Sequence, residues 1–176
     1  MEREIKFRGY DAENREWRYG YYFHKTDTIL CVASDEERRK NSHHLILFGG
    51  FCDWNMPRPY YQSEVDRDSI GMYTGKHDMS GTEVYEGDII SFEDTGEEGY
   101  ECKEGFDFTN RAVIVWNNGR FELGKFLSNN SEVLELMNNC HEDFWNALKD
   151  CQVIGNIYEN PDLLNPQNED DGVYFP

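Results

Sequence analysis

Residues 73–90, YTGKHDMSGTEVYEGDII, decide how this chain is read. Three glycines, Gly75, Gly81 and Gly87, stand among turn formers just ahead of the β-branched pair Ile89-Ile90. Each suits a position that needs positive φ or a close backbone approach. Residues 76–81 form the tip of a tight loop, where Asp78 can bond the backbone two residues on and Gly81 takes a left-handed conformation. Residues 84–92 read as a turn followed by a strand. A Gly-Asp pair ahead of Ile-Ile is a common entry into the first long strand of a small SH3-like barrel. The stretch holds no nucleophile beside a base, no phosphate cradle and no metal-ligand spacing. It builds a shape.

Upstream, REIKFRGY (3–10) and WRYGYYF (17–23) alternate as half-buried strands do, around a DAENRE turn rich in side chains that bond their own backbone. The pattern predicts an opening β-hairpin with Trp17, Tyr19, Tyr21 and Phe23 on one side. Aromatics interleaved with arginine suit base stacking, but cross-strand aromatic pairing is the commoner use. TILCVAS (28–34) and HLILFGG (44–50) are strand-length apolar runs, with a charged turn or single exposed helical turn between them. Alternation sends His43 and His44 to opposite faces, which prevents joint metal binding. Residues 49–61, with two glycines and two prolines, predict an irregular connection. Asp66-Arg67-Asp68 leads into a short strand at 70–73.

Downstream, residues 93–107 are a Gly-rich acidic loop, without the alternating spacing of a calcium loop. RAVIVWNN (111–118) and GRFELGKF (119–126) meet at Asn118-Gly119, a strong hairpin signal because both central residues must take positive φ. From Ser131 to Lys149 the apolar period changes to three or four, through Leu134, Met137, His141, Phe144 and Leu148. That is an amphipathic helix with Ser131 as N-cap and Glu132 and Glu135 in its first turn, and Asn138-Asn139 is a point where it can split. His141 on the stripe reads as a core imidazole. Residues 152–159 return to strand character and close the sheet, Asn160-Pro161 stops them, and a polar tail follows.

Composition bounds the rest. Aromatics are 15% of 176 residues, too many for an acidic disordered chain, so the chain folds. No run of about 18 apolar residues exists to make a transmembrane helix, and the charged, strand-like beginning has no signal-peptide core. The expected location is cytoplasmic. Cys31, Cys52, Cys102, Cys140 and Cys151 show no CxxC pairing, and the expectation is reduced, mostly buried thiols. The net charge of −18 is uneven: residues 1–76 carry −1 and residues 77–176 carry −17. Such a field repels nucleic acid. It leaves either a solvated surface or a surface imitating DNA to occupy a basic partner.

Three blocks now stand in order: REIKFRGYDAENREWRYGYYF (3–23), GMYTGKHDMSGTEVYEGDII (71–90) and VIGNIYENPDLL (153–164). The arrangement resembles the YopX-like family, encoded largely by phages and prophages of bacteria. The resemblance implies a β-rich fold with an SH3-like C-terminal part, viral ancestry and self-association, and it implies no catalytic residues. The acidic loop 93–107 and the helical insert 131–149 depart from the shorter family pattern.

The expected fold is therefore mostly β, with an N-terminal β-rich region (1–72), an SH3-like C-terminal region (73–160) carrying the helical insert 131–149, and a flexible acidic tail (161–176). The expected function is a non-enzymatic, self-assembling interaction module, with homo-oligomeric partners and a possible host protein partner. An acidic DNA mimic or inhibitor of a basic host or defence protein is the alternative. No catalytic, cofactor-binding or metal-binding residue is assigned, and no cofactor, nucleic acid or membrane partner is expected. The nearest thing to an acid–base group is His77 with Asp78, near Glu86 and Asp88. A turn-capping role for Asp78 explains the same residues more simply.

Overall fold

The computed structural model describes residues 4–27, 33–49, 52–53, 56–57, 60–95, 107–140, 145–146 and 148–165. The chain forms two compact units, Met1–Tyr73 and Thr74–Pro176. The mostly β expectation holds: two antiparallel sheets dominate and helix is confined to short pieces.

In the first unit, strands β1 (Phe7–Asp11) and β2 (Glu16–Thr26) make the expected hairpin, paired from Phe7↔Gly20 to Asp11↔Glu16. Its turn is set by Asp11, whose carboxylate accepts the Asn14 N–H at 3.0 Å and the Asn14 Nδ2–H at 2.8 Å. Those bonds, the side-chain one foremost, pull the Asp11 carboxyl down to about 2. Helix α1 (Asp35–Lys40) is the exposed helical turn expected between strands. It is closed at its start by a capping box: Ser34 Oγ accepts the Glu37 N–H, and the Glu37 carboxylate accepts the Ser34 N–H. Strand β3 (Ser42–Gly49) then pairs with β2.

The stretch expected to be irregular carries a small ladder instead. Strands β4 (Cys52–Asp53) and β5 (Met56–Pro57) pair through Cys52↔Pro57 and Asp53↔Met56. A proline fits at the end of so short a ladder, where no inner hydrogen bond is lost. Strand β6 (Tyr60–Glu64) pairs with β3, a 3-10 turn follows at Arg67–Ser69, and β7 (Gly71–His77) begins on β1. The unit's sheet runs β6-β3-β2-β1-β7. Two glycines in it are there for contact. A Cβ at Gly20 would sit 2.0 Å from the Leu47 carbonyl oxygen, and one at Gly9 would lie 2.7 Å from a Val65 methyl.

In the second unit the end of β7 neighbours β8 (Glu83–Tyr85), and Thr74 Oγ1 donates to the Val84 carbonyl at 2.8 Å. Strands β9 (Asp88–Thr95), β10 (Asp107–Asn117), β11 (Arg120–Gly124) and β12 (Gln152–Asn156) form a sheet ordered β11-β10-β9-β12. The Asn-Gly hairpin is as expected, with φ of 48° at Asn118 and 85° at Gly119. The SH3-like barrel is not: this is an open four-stranded sheet. Strands β11 and β12 lie at its two edges and do not pair with each other, so closure is never reached. Strand β12 also carries a register shift between Val153 and Gly155 against β9, a bulge.

Helix α2 (Glu132–Asn139) is the first piece of the helix expected over 131–149, which divides at Asn138-Asn139 as the sequence allowed. It stops at the Asn138-Asn139 pair with no basic residue in its last turn, which leaves little to extend it. Residues 145–146 are helical again and Leu148–Asp150 is a 3-10 turn. The core of this unit is Ile89, Ile90, Phe92, Val113, Ile114 and Leu123 from the sheet, capped by Val133 and Met137 of α2.

Ala33 and Ser34, at the end of the strand expected over 28–34, are not in a strand, while residues 28–32, most of the acidic loop 93–107, His141, Phe144 and the tail beyond residue 165 lie outside the described residues. Of the cysteines, Cys151 is buried as expected and Cys140 is exposed. Cys140 is the C-cap of α2, its N–H donating to the Leu136 carbonyl.

Candidate functional site

The loop that opened the sequence argument is tied down by its own aspartate. Asp78 is buried, and its Oδ1 accepts the Ser80 N–H at 2.8 Å, the Ser80 hydroxyl at 2.7 Å and the Thr82 N–H at 2.8 Å. Its Oδ2 accepts the Val153 N–H of β12 at 3.0 Å. Burial works to raise the carboxyl's pKa, but the bonds from Ser80, Val153 and Thr82 together outweigh it and hold the group below its ordinary value. Gly75, Gly81 and Gly87 all take positive φ, between 82° and 87°. Asp88 is equally buried, with Oδ2 accepting the Tyr85 N–H at 2.7 Å across the turn. Both aspartates thus cap turns, while His77 is exposed and Glu86 half-buried.

A further buried carboxylate, Asp94, anchors the helical insert. Asp94 accepts the Asn110 Nδ2–H at 2.8 Å, the Ser131 hydroxyl at 2.5 Å and the Val133 N–H at 3.2 Å. Ser131 is the N-cap of α2 as expected, and its Oγ accepts the Leu134 N–H at 3.0 Å. Asn110 is fully buried and bonds both the carbonyl and the N–H of Ser128. Sequence reading assigned Asp94 only to an acidic loop; a lone carboxylate in a run of others carries no mark of burial.

Two features of the first unit face outward. On one face of its sheet, Tyr19, Tyr21 and Phe23 of β2 are 50%, 62% and 49% exposed. The register Tyr21↔Leu47 and Gly49↔Tyr60 places Leu47 and Tyr60, itself 67% exposed, on the same face. The alternation read from the sequence holds here, with these side chains about half exposed or more, and the expected cross-strand aromatic pairing is made by Trp17 with Tyr10, ring centroids 5.5 Å apart. At about 200 Å² per ring and roughly half exposure, the four rings present on the order of 400 Å², the scale of a functional surface patch.

At the other end of the same strands is a cleft of about 550 Å³. Its walls are His24 of β2, His44 of β3, Arg38 and Arg39 of α1, Arg67 of the 3-10 turn and Glu64 of β6. The His24 and His44 rings stack with centroids 4.9 Å apart and 13° between planes. The Tyr22 hydroxyl lies 2.7 Å from His44 Nδ1, and Ser42 Oγ lies 2.5 Å from His24 Nε2. Burial, with His24 and Arg67 adding like charge, lowers the His44 pKa. His43, one residue away, points to the opposite face as alternation requires. There Glu64, 2.9 Å from its Nδ1, and Asp27, 3.2 Å from its Nε2, raise its pKa. Spacing gave no hint of the cleft, because its arginines come from segments 28 residues apart. Among the described residues, no three His, Cys, Asp or Glu side chains gather as a metal site requires. No helix among them is long and apolar enough to cross a membrane.

The chain is thus an antiparallel, mostly β protein of two units, with Asp78, Asp88 and Asp94 buried in internal hydrogen bonds. The chain belongs to the YopX family, whose model, described as YopX protein, matches residues 6–165. It is also similar to a solved structure, that of protein EF1440 from Enterococcus faecalis, at 21% identity and a TM-score of 0.43 over 93% of this chain and 99% of that one. No curated protein matches it.

Proposed function

We propose that this chain is a non-enzymatic, self-associating interaction module of phage or prophage origin, working in the cytoplasm of its host, and that the aromatic sheet face of its first unit is the contact surface. The observation that carries this reading is the row Tyr19, Tyr21 and Phe23 with Tyr60 alongside, all about half exposed or more. A soluble chain that left such rings in water would lose the stabilisation their burial offers, roughly 25 cal/mol per Å². Charge distribution favours a second copy as occupant. Residues 77–176 carry −17 and repel their like, whereas residues 1–76 are close to neutral and can approach one another. A standard interface buries about 800 Å² per partner, so the four rings supply around half of one side.

For the DNA-mimic alternative, Asp78, Asp88, Asp94 and Glu122 are buried in internal hydrogen bonds and so cannot contribute to an outer ridge of charge. Sedimentation velocity on the full chain tests the proposal, with Tyr21→Lys and Phe23→Lys combined as the variant. The wild type should sediment as a defined multimer and the folded variant as a smaller species. A monomeric wild type, or a variant that keeps the wild-type assembly, would refute it.

A further inference from the structure

Apart from the aromatic face, the first unit gathers positive charge where the chain as a whole has little to give. Only 17 of 176 residues are basic against 35 acidic ones. Three of those cations, Arg38, Arg39 and Arg67, nevertheless line one cleft where, among the described residues, the one lining carboxylate is Glu64. That carboxylate is engaged by His43. The Arg38 Nε donates to the Ala33 carbonyl at 3.2 Å, which fixes the direction of its head group. Arg39 and Arg67 form no ion pair among the described residues. A cation left without a counter-ion, in a chain with twice as many acids as bases, is in surplus at that place. The guanidinium fork matches phosphate oxygens in pairs, and two or three such groups around one cleft suit a dianion better than a single carboxylate.

We propose that the cleft between α1, β2, β3 and the Arg67–Ser69 turn binds a small phosphate monoester, held by Arg39 and Arg67 with Arg38 in support. The volume of about 550 Å³ lies within the range of small-ligand sites and accommodates a nucleotide-sized molecule. The His24 ring, backed by His44 and Tyr22 in a stack, adds a flat, polarisable face at the same place, one suited to the ring of an attached base. Tyr22 and Ser42 hold the two imidazoles in place, through His44 Nδ1 and His24 Nε2. A long polyanion is the wrong partner, because the −17 on residues 77–176 opposes its approach. A small ligand carries too few charges to be turned away and is screened beyond about 8 Å at physiological salt. Binding would also favour the protonated form of His44, which burial and its cationic neighbours now disfavour.

The test is a proton NMR titration of the full chain at moderate salt, reading the His24 and His44 ring resonances. The ligands are inorganic phosphate, adenosine monophosphate, citrate and a single-stranded oligonucleotide. Phosphate and the nucleotide should each give saturable shifts, with the nucleotide tighter if a ring stacks on the imidazoles. The double variant Arg39→Ser/Arg67→Ser, whose side chains are exposed and whose fold is checked by circular dichroism, should bind about tenfold more weakly or worse. A second variant, Lys40→Ser, removes a neighbouring charge outside the cleft and should bind as the wild type does. The proposal is overturned by the absence of saturation with phosphate and nucleotide alike. It is equally overturned by unchanged binding in the arginine double variant, by equal losses in both variants, or by tighter binding of citrate or the oligonucleotide.

Discussion

Replacing Asp78 by alanine tests whether the glycine-punctuated loop is held by one carboxylate. The substitution removes four hydrogen bonds to a buried charge, three at Oδ1 and one at Oδ2. A hydrogen bond to a charged group contributes roughly 1.5–3 kcal/mol net, but the four share one side chain and do not add. Ser80 and Thr82 are exposed, so water can replace the carboxylate at their N–H groups once the loop relaxes. The Val153 N–H is half-buried and has poorer access. The expected loss is therefore about 3 kcal/mol, near the cost of one fully stranded donor plus the loop's own ordering.

Asp78→Asn should lose less, about 1.5 kcal/mol, because its carbonyl can still accept at Oδ1 while its amide opposes the Val153 donor. Equilibrium urea unfolding followed by circular dichroism measures both. The pH dependence supplies an internal control. Since the folded state holds the Asp78 pKa below its ordinary value, its contribution is present above the unfolded pKa and is lost as pH falls through the folded one. The difference between wild type and Asp78→Asn should shrink in acid accordingly. A loss under about 1 kcal/mol for Asp78→Ala at neutral pH would refute the reasoning, because it would mean the loop is held by backbone bonds alone.

Other outcomes follow from single features. Gly20→Ala should destabilise the first unit by more than about 2 kcal/mol, as its Cβ would meet the Leu47 carbonyl oxygen at 2.0 Å; thermal unfolding reads this, and an unchanged midpoint would contradict the close approach. In an NMR pH titration, His43 should titrate above the ordinary histidine value and His44 below it, so two neighbours in sequence change charge in the order His43 then His44 as pH falls. By the same linkage, the His43 contribution to stability is lost as pH rises through its folded pKa, whereas that of His44 is lost as pH falls. Alkylation of the native protein should modify Cys140 well before Cys151, whose thiol is buried and pushed up to about 11; mass spectrometry of digested samples would show the order. Asp94→Leu should release the start of α2 and remove helical signal in circular dichroism, at a cost of about 3 kcal/mol, since Ser131, Asn110 and Val133 would all lose their acceptor.

Local chemistry was legible in the sequence, and long-range placement was not. The positive φ at Gly75, Gly81 and Gly87, the Asn118-Gly119 turn, the Ser131 cap and the opposed directions of His43 and His44 all follow from residue type and period. These depend on neighbours a few positions away. Barrel closure failed because it depends on the shear and pairing of edges distant in sequence, which a Gly-Asp-Ile-Ile entry does not determine. Apolar spacing persists through Asn138-Asn139 while helix propensity does not, so the helix read over 131–149 divides at the pair where a split was legible. The histidine and arginine cleft was invisible for the same reason as the barrel. Arg39, Arg67 and His24 meet only after β2, β3 and β6 have paired.

The bulge in β12 bears on how this protein avoids joining others in the wrong way. A straight outer strand offers its unspent N–H and C=O groups as a template, and copies added there can stack without limit into fibres. The slip between Val153 and Gly155 breaks that template part-way along one margin of the second sheet. Growth by strand addition is thereby discouraged on that side, and the interruption acts as a built-in stop against runaway stacking.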